Sequence, residues 1–320
     1  HKILLLLMVA ALAVSCQSDI PVVPINPEIP DNPDEPDNPD EPDKPDGPTF
    51  SPLHVEGRWF VDANGFRHIL HGFAQTYSPW FNERGTKWDN YNVAACLKYN
   101  QGLIDDIIEK GWKMDFVRMH MDPYWSNKPN VRTTGENDIS AFDFERFKKY
   151  LDEVFIPMAE YIISKGMYVV MRPPGVCPEQ ISIGGAYHEY LKKVWTYVAS
   201  HPKLQNNGYV MFELANEPVQ ICDDNGKALD NWNGGTFTAR GKQIQKFMQE
   251  IVDEMRKSCN NILLIPGLHY QMLYKTFEKY PVEGKNIGYA VHCYPGWYNS
   301  GYDKEVDVVY NNFKSGWDNE

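Results

Sequence analysis

The chain has 320 residues, with 43 Asp and Glu against 31 Lys and Arg and a formal net charge of −12. This length supports the core of one large domain or two small ones and excludes a small disulfide-stapled module. Residues 1–48 hold ten acidic residues and two lysines, a net of −8, which leaves −4 for residues 49–320. A near-neutral folded part without a basic cluster argues against a nucleic-acid partner, whereas 13% aromatic residues suit a neutral, polar, ring-shaped ligand.

The first apolar segment runs from Ile3 to Val14. It is too short to span a bilayer and is typical of the hydrophobic region of a secretory signal. Ala13-Val14-Ser15-Cys16 resembles a bacterial lipobox, in which the cysteine carries the lipid. We therefore expect residues 1–16 to be a lipoprotein signal peptide and the lipid on Cys16 to be the only link to a membrane. This predicts a protein outside the cytoplasm, an outer-membrane lipoprotein at the cell surface or in the periplasm. An ordinary secretory signal with an incidental cysteine is the alternative.

A proline occurs at every third position from Pro21 to Pro48, with Asp, Glu and Asn between the prolines. Polyproline II has about three residues per turn, so the prolines share one edge while the acidic groups repel one another and extend the chain. Such a segment cannot build a packed core. We predict a Pro/Asp-rich linker over residues 17–48 and a folded domain over residues 49–320.

Short hairpins are predicted at the start of this domain, where Leu53–Val55 and Trp59–Val61 flank Glu56–Arg58 and the turn Asp62–Gly65 leads into a first buried strand at Ile69–Leu70. Further apolar segments predict strands at Phe116–Met119, Met167–Met171, Tyr209–Leu214, Ile262–Ile265 and Ile287–Val291. Apolar residues at spacings of three and four predict helices at Leu103–Lys110, Phe144–Ser164, Tyr187–Ser200 and Gly241–Ser258.

The alternation of strand and helix indicates a parallel α/β fold. A (β/α)₈ barrel needs eight such units, and the sequence provides about six before residue 320, so we predict a C-terminally truncated TIM barrel. A complete six-stranded doubly wound sheet is the alternative. It is disfavoured because His71-Gly72-Phe73, and no glycine-rich phosphate turn, follows the first predicted strand.

The residues at the carboxyl ends of the strands are the candidates for chemistry in a barrel. The fourth predicted strand runs into Asn216-Glu217-Pro218. The proline removes a backbone donor and ends the strand, which places Glu217 on the rim, where a carboxyl group can act as a general acid. A glutamate at the start of a helix and an asparagine that caps a turn are the ordinary structural alternatives.

Glu213-Leu214-Ala215-Asn216-Glu217-Pro218, with Val117-Arg118 on the second strand and His292-Cys293-Tyr294 after the sixth, resembles glycoside hydrolase family 5, the cellulase-like retaining glycosidases. The similarity covers residues 53–320 and includes the Asp62–Gly65 hairpin. It implies a (β/α)₈ barrel that hydrolyses a β-linked polysaccharide with two glutamates and without metal or cofactor. An endo-acting β-glucanase is the first expectation and a β-mannanase the second, while a catalytically silent glycan-binding lipoprotein is the alternative from another class.

The resemblance also implies a role for each matching residue. Glu217 is the acid and then the base of a two-step retaining reaction, and Asn216 binds the sugar hydroxyl next to the reacting carbon. Arg118 keeps the nucleophile ionised or pairs with Glu213 inside the barrel, and both interpretations can hold. His292 and Tyr294 orient the sugar and the nucleophile.

Two positions depart from the family pattern. The third strand continues into Met171-Arg172-Pro173-Pro174 where many members carry a histidine, so we expect Arg172 or His120 to supply that polar contact. The nucleophile should be a glutamate that ends a seventh strand. Glu305 and Glu320 follow no buried-strand pattern, so we expect the nucleophile beyond residue 320 and no turnover by this chain alone.

Polar and aromatic side chains near strand ends are candidates for substrate contacts, because aromatic rings cover the apolar faces of pyranoses. Trp297 is the first choice. The other assigned substrate-binding residues are Trp125, Trp80, His120 and His71. The cysteines after Cys16 are odd in number and lack metal-ligand spacing, so no metal site is expected.

Overall fold

The computed structural model describes residues 47–81 and 88–292. The domain begins with a small antiparallel sheet of three strands in chain order: β1 (His54–Glu56), β2 (Trp59–Val61) and β3 (Arg67–His68). Asp62 closes the turn between β2 and β3, because its Oδ1 accepts the N–H groups of Asn64 and Phe66 at 2.9 and 3.0 Å. Both hairpins predicted from the sequence are confirmed.

Six parallel strands form the main sheet: β4 (Gly72–Gln75), β5 (Phe116–His120), β6 (Tyr168–Arg172), β8 (Val210–Glu213), β10 (Leu263–Pro266) and β11 (Ile287–Ala290). The short strands β7 (Gln180–Ile181) and β9 (Gln220–Ile221) lie in the segments after β6 and β8 and pair parallel with each other. The five later strands of the main sheet confirm the sequence predictions to within one residue at each end.

The helices fall between the strands of the sheet: α1 (Val93–Glu109), α2 (Pro123–Ser126), α3 (Phe144–Tyr150), α4 (Ile156–Ser164), α5 (Ala186–Ser200), α6 (Phe237–Arg256), α7 (Leu268–Gln271) and α8 (Lys275–Lys279). A π-helical segment, Leu151–Phe155, joins α3 to α4, so the helix predicted over Phe144–Ser164 is continuous. Short 3₁₀ turns occur at Ile139–Ala141 and Gly234–Thr236.

The order of the strands decides between the two predicted architectures. Neighbours in the sheet follow the chain without reversal, from β4 through β5, β6, β8 and β10 to β11. A doubly wound sheet reverses its strand order at a switch point, whereas a barrel is wound in one direction. The sheet is therefore consistent with a (β/α)₈ barrel and not with the doubly wound alternative.

The core lies on both faces of this sheet. Every residue of β8 and the first four residues of β6 are buried, as expected for parallel strands covered on both sides. Phe212 and Trp195 pack with ring centroids 5.4 Å apart between β8 and α5. Within residues 47–81 and 88–292 no helix has the length and apolar character that a membrane crossing needs.

Three elements differ from the sequence predictions, and one of them is α6, which begins at Phe237 and not at the predicted Gly241. The first strand of the main sheet is β4, at Gly72–Gln75, and not Ile69–Leu70, and only Gln75 of its four residues is buried; Ile69 is exposed in the connection before it. Helix α1 begins at Val93, ten residues before the predicted start. Its buried face includes Asn100, which interrupts the apolar period but is satisfied by hydrogen bonds to Cys96 and Gln75.

Candidate active site

The carboxyl ends of β5, β8, β10 and β11 bring the candidate residues together at one edge of the sheet. Arg118 lies on β5, Glu213 ends β8, and Asn216 and Glu217 follow it. His292 lies two residues beyond the end of β11. Four residues that the sequence predicts for the site, Asn216, Glu217, Arg118 and His292, therefore form one constellation.

The centre of this constellation is an ion pair between Arg118 and Glu213. Arg118 Nε and Nη2 donate to the two carboxylate oxygens of Glu213 at 2.6 and 2.9 Å. The Glu213 side chain is 2% exposed. Burial alone raises the pKa of Glu213, but the charges and hydrogen bonds of Arg118 and His292 outweigh it and hold that pKa well below its usual range. Glu213 is thus a buried, ionised carboxylate, and the predicted structural pairing is confirmed.

Asn216 is oriented by the same arginine. Its Oδ1 accepts a hydrogen bond from Arg118 Nη2 at 2.7 Å, and its backbone carbonyl accepts the N–H of Cys177 at 2.8 Å. The contact with Arg118 fixes the plane of the side-chain amide, so that Nδ2 points away from the guanidinium. Asn216 is buried, with 4% of its surface exposed, and the contact of its Nδ2 with a sugar hydroxyl remains a prediction.

Glu217 has a strained backbone and an accessible carboxyl group. Its φ of 54° lies in the left-handed region, which costs a residue other than glycine on the order of 1 kcal/mol. The following Pro218 restricts the residue before it further. The side chain is 27% exposed, and Oε1 lies 3.0 Å from His292 Nδ1. Strain of this kind persists where the surroundings determine the conformation, and it is concentrated at functional sites.

His292 lies between the two glutamates. Its Nδ1 is 3.0 Å from Glu217 and its Nε2 is 3.4 Å from Glu213. Burial lowers the pKa of His292, but hydrogen bonds with both carboxylates raise it more, so the net shift is upward. A protonated imidazole donates from both nitrogens and therefore links the ion pair to the accessible carboxyl group.

The departure after the third strand has a structural explanation. Arg172 Nη1 donates to the carbonyl of Gly175 at 2.7 Å, and His120 Nε2 accepts the Gly175 N–H at 3.3 Å. Burial, together with the charges of Arg172 and Arg118, lowers the pKa of His120 well below its usual range, so His120 is the neutral acceptor that this contact requires. Both residues hold the loop after β6. Their direct contact with a substrate remains a prediction.

Two assigned substrate-binding residues need correction. His71 precedes β4 and lies at the amino end of the sheet, where Asp115 Oδ2 accepts its backbone N–H, so it is on the opposite edge from Glu217. Trp125 is fully buried, donates from Nε1 to the carbonyl of Tyr77 at 2.9 Å and offers no ring face to a sugar. Trp80, by contrast, follows the carboxyl end of β4 and is 76% exposed, and its role remains a prediction. Tyr294 and Trp297 lie outside the described residues.

One further residue, Gln271, belongs to the site and was not predicted, and an exposed tryptophan lies on a neighbouring segment. Gln271, in the turn after β10, is fully buried and donates from Nε2 to Glu213 at 2.9 Å. Trp232, on the segment after β9, is 68% exposed and meets the ring of His269 edge-on at 4.7 Å. No hydrophobic period of the sequence marks Gln271, which follows β10 through a left-handed turn.

Comparisons with known proteins bear on the fold and the family. Residues 62–319 match the family model described as cellulase (glycosyl hydrolase family 5). A solved β-glucanase from Saccharophagus degradans is 15% identical with a TM-score of 0.55, and the match covers 87% of this chain and 73% of that one. A structure from Cytophaga hutchinsonii is 19% identical with a TM-score of 0.55, covering 85% and 70%.

A third solved structure, a thermostable and highly halotolerant GH5 cellulase from an Icelandic hot spring isolate, is 18% identical with a TM-score of 0.52. That match covers 84% of this chain and 69% of the cellulase. A comparison with curated protein sequences gives no match. At these identities the solved structures show a shared fold, and the family match covers most of the chain.

Proposed function

The chain belongs to the cellulase family, glycosyl hydrolase family 5, and from this premise we propose that the protein cleaves β-linked glucan with retention of configuration. Glycosidase chemistry is the activity of the family. One observation of the site carries the assignment of the acid. The Glu217 carboxyl group is partly exposed at the sheet edge, beside His292 and next to the Asn216 that Arg118 orients.

The first step joins proton donation to nucleophilic attack. Glu217, protonated, gives its proton to the glycosidic oxygen as the bond to the anomeric carbon breaks, and a carboxylate on the opposite side attacks that carbon. Glu213 does not fit the nucleophile, since its carboxylate is buried and bound by Arg118 and Gln271. The nucleophile is therefore still the residue expected from the sequence, a glutamate at the end of a further strand.

The second step returns the proton. Glu217, now ionised, takes a proton from water, the resulting hydroxyl attacks the anomeric carbon, and the bond from that carbon to the nucleophile breaks, which releases the sugar and restores the carboxylate. His292, which lies within hydrogen-bond distance of Oε1, stabilises this ionised form of Glu217. Asn216 donates to the hydroxyl adjacent to the reacting carbon, a contact that strengthens as positive charge develops in the ring.

A β-linked pyranose chain is favoured as the substrate by the aromatic surface beside Glu217, and glucan by a complex of a similar protein. Tyr270 donates its N–H to the carbonyl of Pro218 at 3.0 Å, and His269 stands between Tyr270 and the exposed Trp232. Exposed rings next to the acid suit the flat faces of β-linked glucose units. One solved structure of the similar Saccharophagus degradans β-glucanase is a complex with cellotetraose.

Hydrolysis by the full-length protein tests this proposal. We expect reducing sugar to be released from β-glucan and Glu217→Gln to lower that rate by roughly a thousandfold, because the acid acts in both steps. Glu278→Gln, an exposed glutamate on α8, is the matched control and should retain the wild-type rate. Unchanged hydrolysis by Glu217→Gln would refute the assignment. Binding of glucan without cleavage by the wild type would favour a glycan-binding protein, and cleavage of β-mannan alone would change the substrate.

We also propose that Cys16 carries a lipid and holds the domain at the outer membrane through the proline-rich segment. The lipobox-like sequence before Cys16 supports this placement. Metabolic labelling with a fatty acid in a bacterium with an outer membrane should label the wild type and not Cys16→Ser. Equal labelling of both, or of neither, would contradict a lipid on Cys16 and favour an ordinary secretory signal.

A further inference from the structure

Gln271 ends α7, which is a single turn of unusual backbone conformation. The residues His269, Tyr270 and Gln271 have φ values of 52°, 58° and 61°, three successive left-handed residues in which none is glycine. Backbone hydrogen bonds hold this turn against the segment after Glu217: the N–H of His269 donates to Val219, and that of Tyr270 to Pro218, each at 3.0 Å. A conformation this unfavourable indicates that the surroundings dictate it.

The Gln271 side chain joins three strand ends. Oε1 accepts the backbone N–H of Glu217 at 2.7 Å. Nε2 donates to Glu213 Oε1 at 2.9 Å and to the carbonyl of Ala290, the last residue of β11, at 3.0 Å. The backbone carbonyl of Gln271 also accepts the N–H of His292 at 3.0 Å. One fully buried residue thus contacts the proposed acid, the carboxylate that binds Arg118, and the histidine between them.

These partners fix which way the amide faces. Glu213 and Ala290 offer only oxygen acceptors to the side chain, while Glu217 offers an N–H donor. A reversed amide would place its oxygen against two oxygens and its nitrogen against a donor. The network therefore requires both an acceptor and a donor at this position. An apolar side chain provides neither, and a carboxylate would face the ionised Glu213.

We propose that Gln271 is the positioning residue of this active site, which holds the backbone of Glu217 in its left-handed conformation and so aims the acid. The inference rests on the proposed function, in which Glu217 is the acid. Gln271 touches no substrate in this scheme and acts through the Glu217 N–H and the Glu213 carboxylate. A misplacement of a reacting group by about 1 Å can cost roughly a hundredfold in rate.

The substitutions Gln271→Leu and Gln271→Glu, made in the full-length protein, separate positioning from packing. We expect Gln271→Leu to lower kcat on β-glucan roughly a hundredfold at every pH, with KM within about threefold of the wild type. In Gln271→Glu a protonated carboxyl group keeps the two contacts that matter for Glu217, because its O–H donates to Glu213 and its C=O accepts the Glu217 N–H, while the contact with the Ala290 carbonyl is lost. Its activity relative to the wild type should therefore recover as the pH falls. Gln243→Glu, at the surface of α6, controls for the added charge.

The same variants give a readout that does not depend on activity. Burial beside Glu213 raises the pKa of a carboxyl group placed at 271, so Gln271→Glu should unfold at higher urea as the pH falls, while Gln271→Leu lacks this trend. Equal activity loss by Gln271→Glu at every pH, or a kcat for Gln271→Leu within threefold of the wild type, overturns the proposal. A wild type that cleaves no glucan overturns the proposed function instead, and the unfolding series then tests only the contact of residue 271 with Glu213.

Discussion

The Glu213→Gln substitution removes a buried negative charge while it preserves the shape of the side chain. Arg118 would keep its position with 21% of its side chain exposed and without the carboxylate that binds it at 2.6 and 2.9 Å. Breaking a buried pair by removing one partner costs about 3–5 kcal/mol. Because the arginine is not fully buried, we expect the lower end, a loss of about 3 kcal/mol in the free energy of unfolding at neutral pH.

Urea denaturation across pH measures this loss. The folded-state pKa of Glu213 lies below the 4.5 of an unperturbed glutamate, so its stabilisation is present above pH 4.5 and is lost as the pH falls below it. The difference between the wild type and Glu213→Gln should therefore shrink toward about pH 3. The exposed pair Lys257 and Glu254 is the matched control, since Glu254→Gln should cost less than about 1 kcal/mol. A similarly small loss for Glu213→Gln, or a difference that stays constant with pH, would refute this account of the ion pair.

Three other substitutions have expected outcomes. Gly175→Ala should lower the free energy of unfolding, measured in urea, by about 2–3 kcal/mol, because φ is +76° at this position and a Cβ would lie 2.1 Å from the carbonyl oxygen of Glu136. An unchanged urea midpoint of unfolding would contradict this expectation. Trp232→Ala should raise KM on β-glucan roughly tenfold at constant stability. Trp112 is about equally exposed but precedes β5 at the amino end of the sheet, so Trp112→Ala should leave KM unchanged. Equal effects of the two substitutions would contradict a stacking role for Trp232. The pKa of His292 is raised, so the stabilisation by this histidine is complete below pH 6.5 and is lost as the pH rises through the folded-state pKa. The difference in free energy of unfolding between the wild type and His292→Gln should therefore narrow above that pH. A difference that widens would be inconsistent with a histidine protonated between two carboxylates.

Much of the fold could be predicted because the inner strands carry continuous apolar segments. The strands β6 and β8 are buried on both faces, and their sequences show it directly. The first strand of the main sheet, β4, does not follow this rule. Gly72 is required there because a Cβ would lie 2.2 Å from the carbonyl oxygen of Phe116, and Gly72–Gln75 has little apolar character. Because the strand was predicted at Ile69–Leu70, His71 was expected at its carboxyl end, whereas His71 lies at the amino end of β4.

The site could be predicted where its residues follow a strand directly. Glu217, Asn216 and His292 all do so, and the structure brings them to one edge with Arg118. Gln271 could not be found in this way, because a left-handed turn separates it from β10 and no sequence period describes such a turn.

Trp125 was assigned to the substrate-binding residues, although it is a core residue. Position near a strand end does not distinguish a ring that packs in the core from one that faces a cleft. The structure resolves the difference through the contacts of its ring with Tyr91 and Tyr150 at 6.1 and 4.9 Å.

The most direct test of the central claim compares two leaving groups in the Glu217→Gln variant of the full-length protein. Cleavage of a cello-oligosaccharide needs a proton on the departing oxygen, whereas a dinitrophenyl cello-oligosaccharide releases a stable anion without one. If Glu217 is the general acid, the variant should lose roughly a thousandfold in kcat/KM on the first substrate and retain most of its first turnover on the second. Equal losses on both substrates would show that residue 217 supports the site in some other way and would contradict the account.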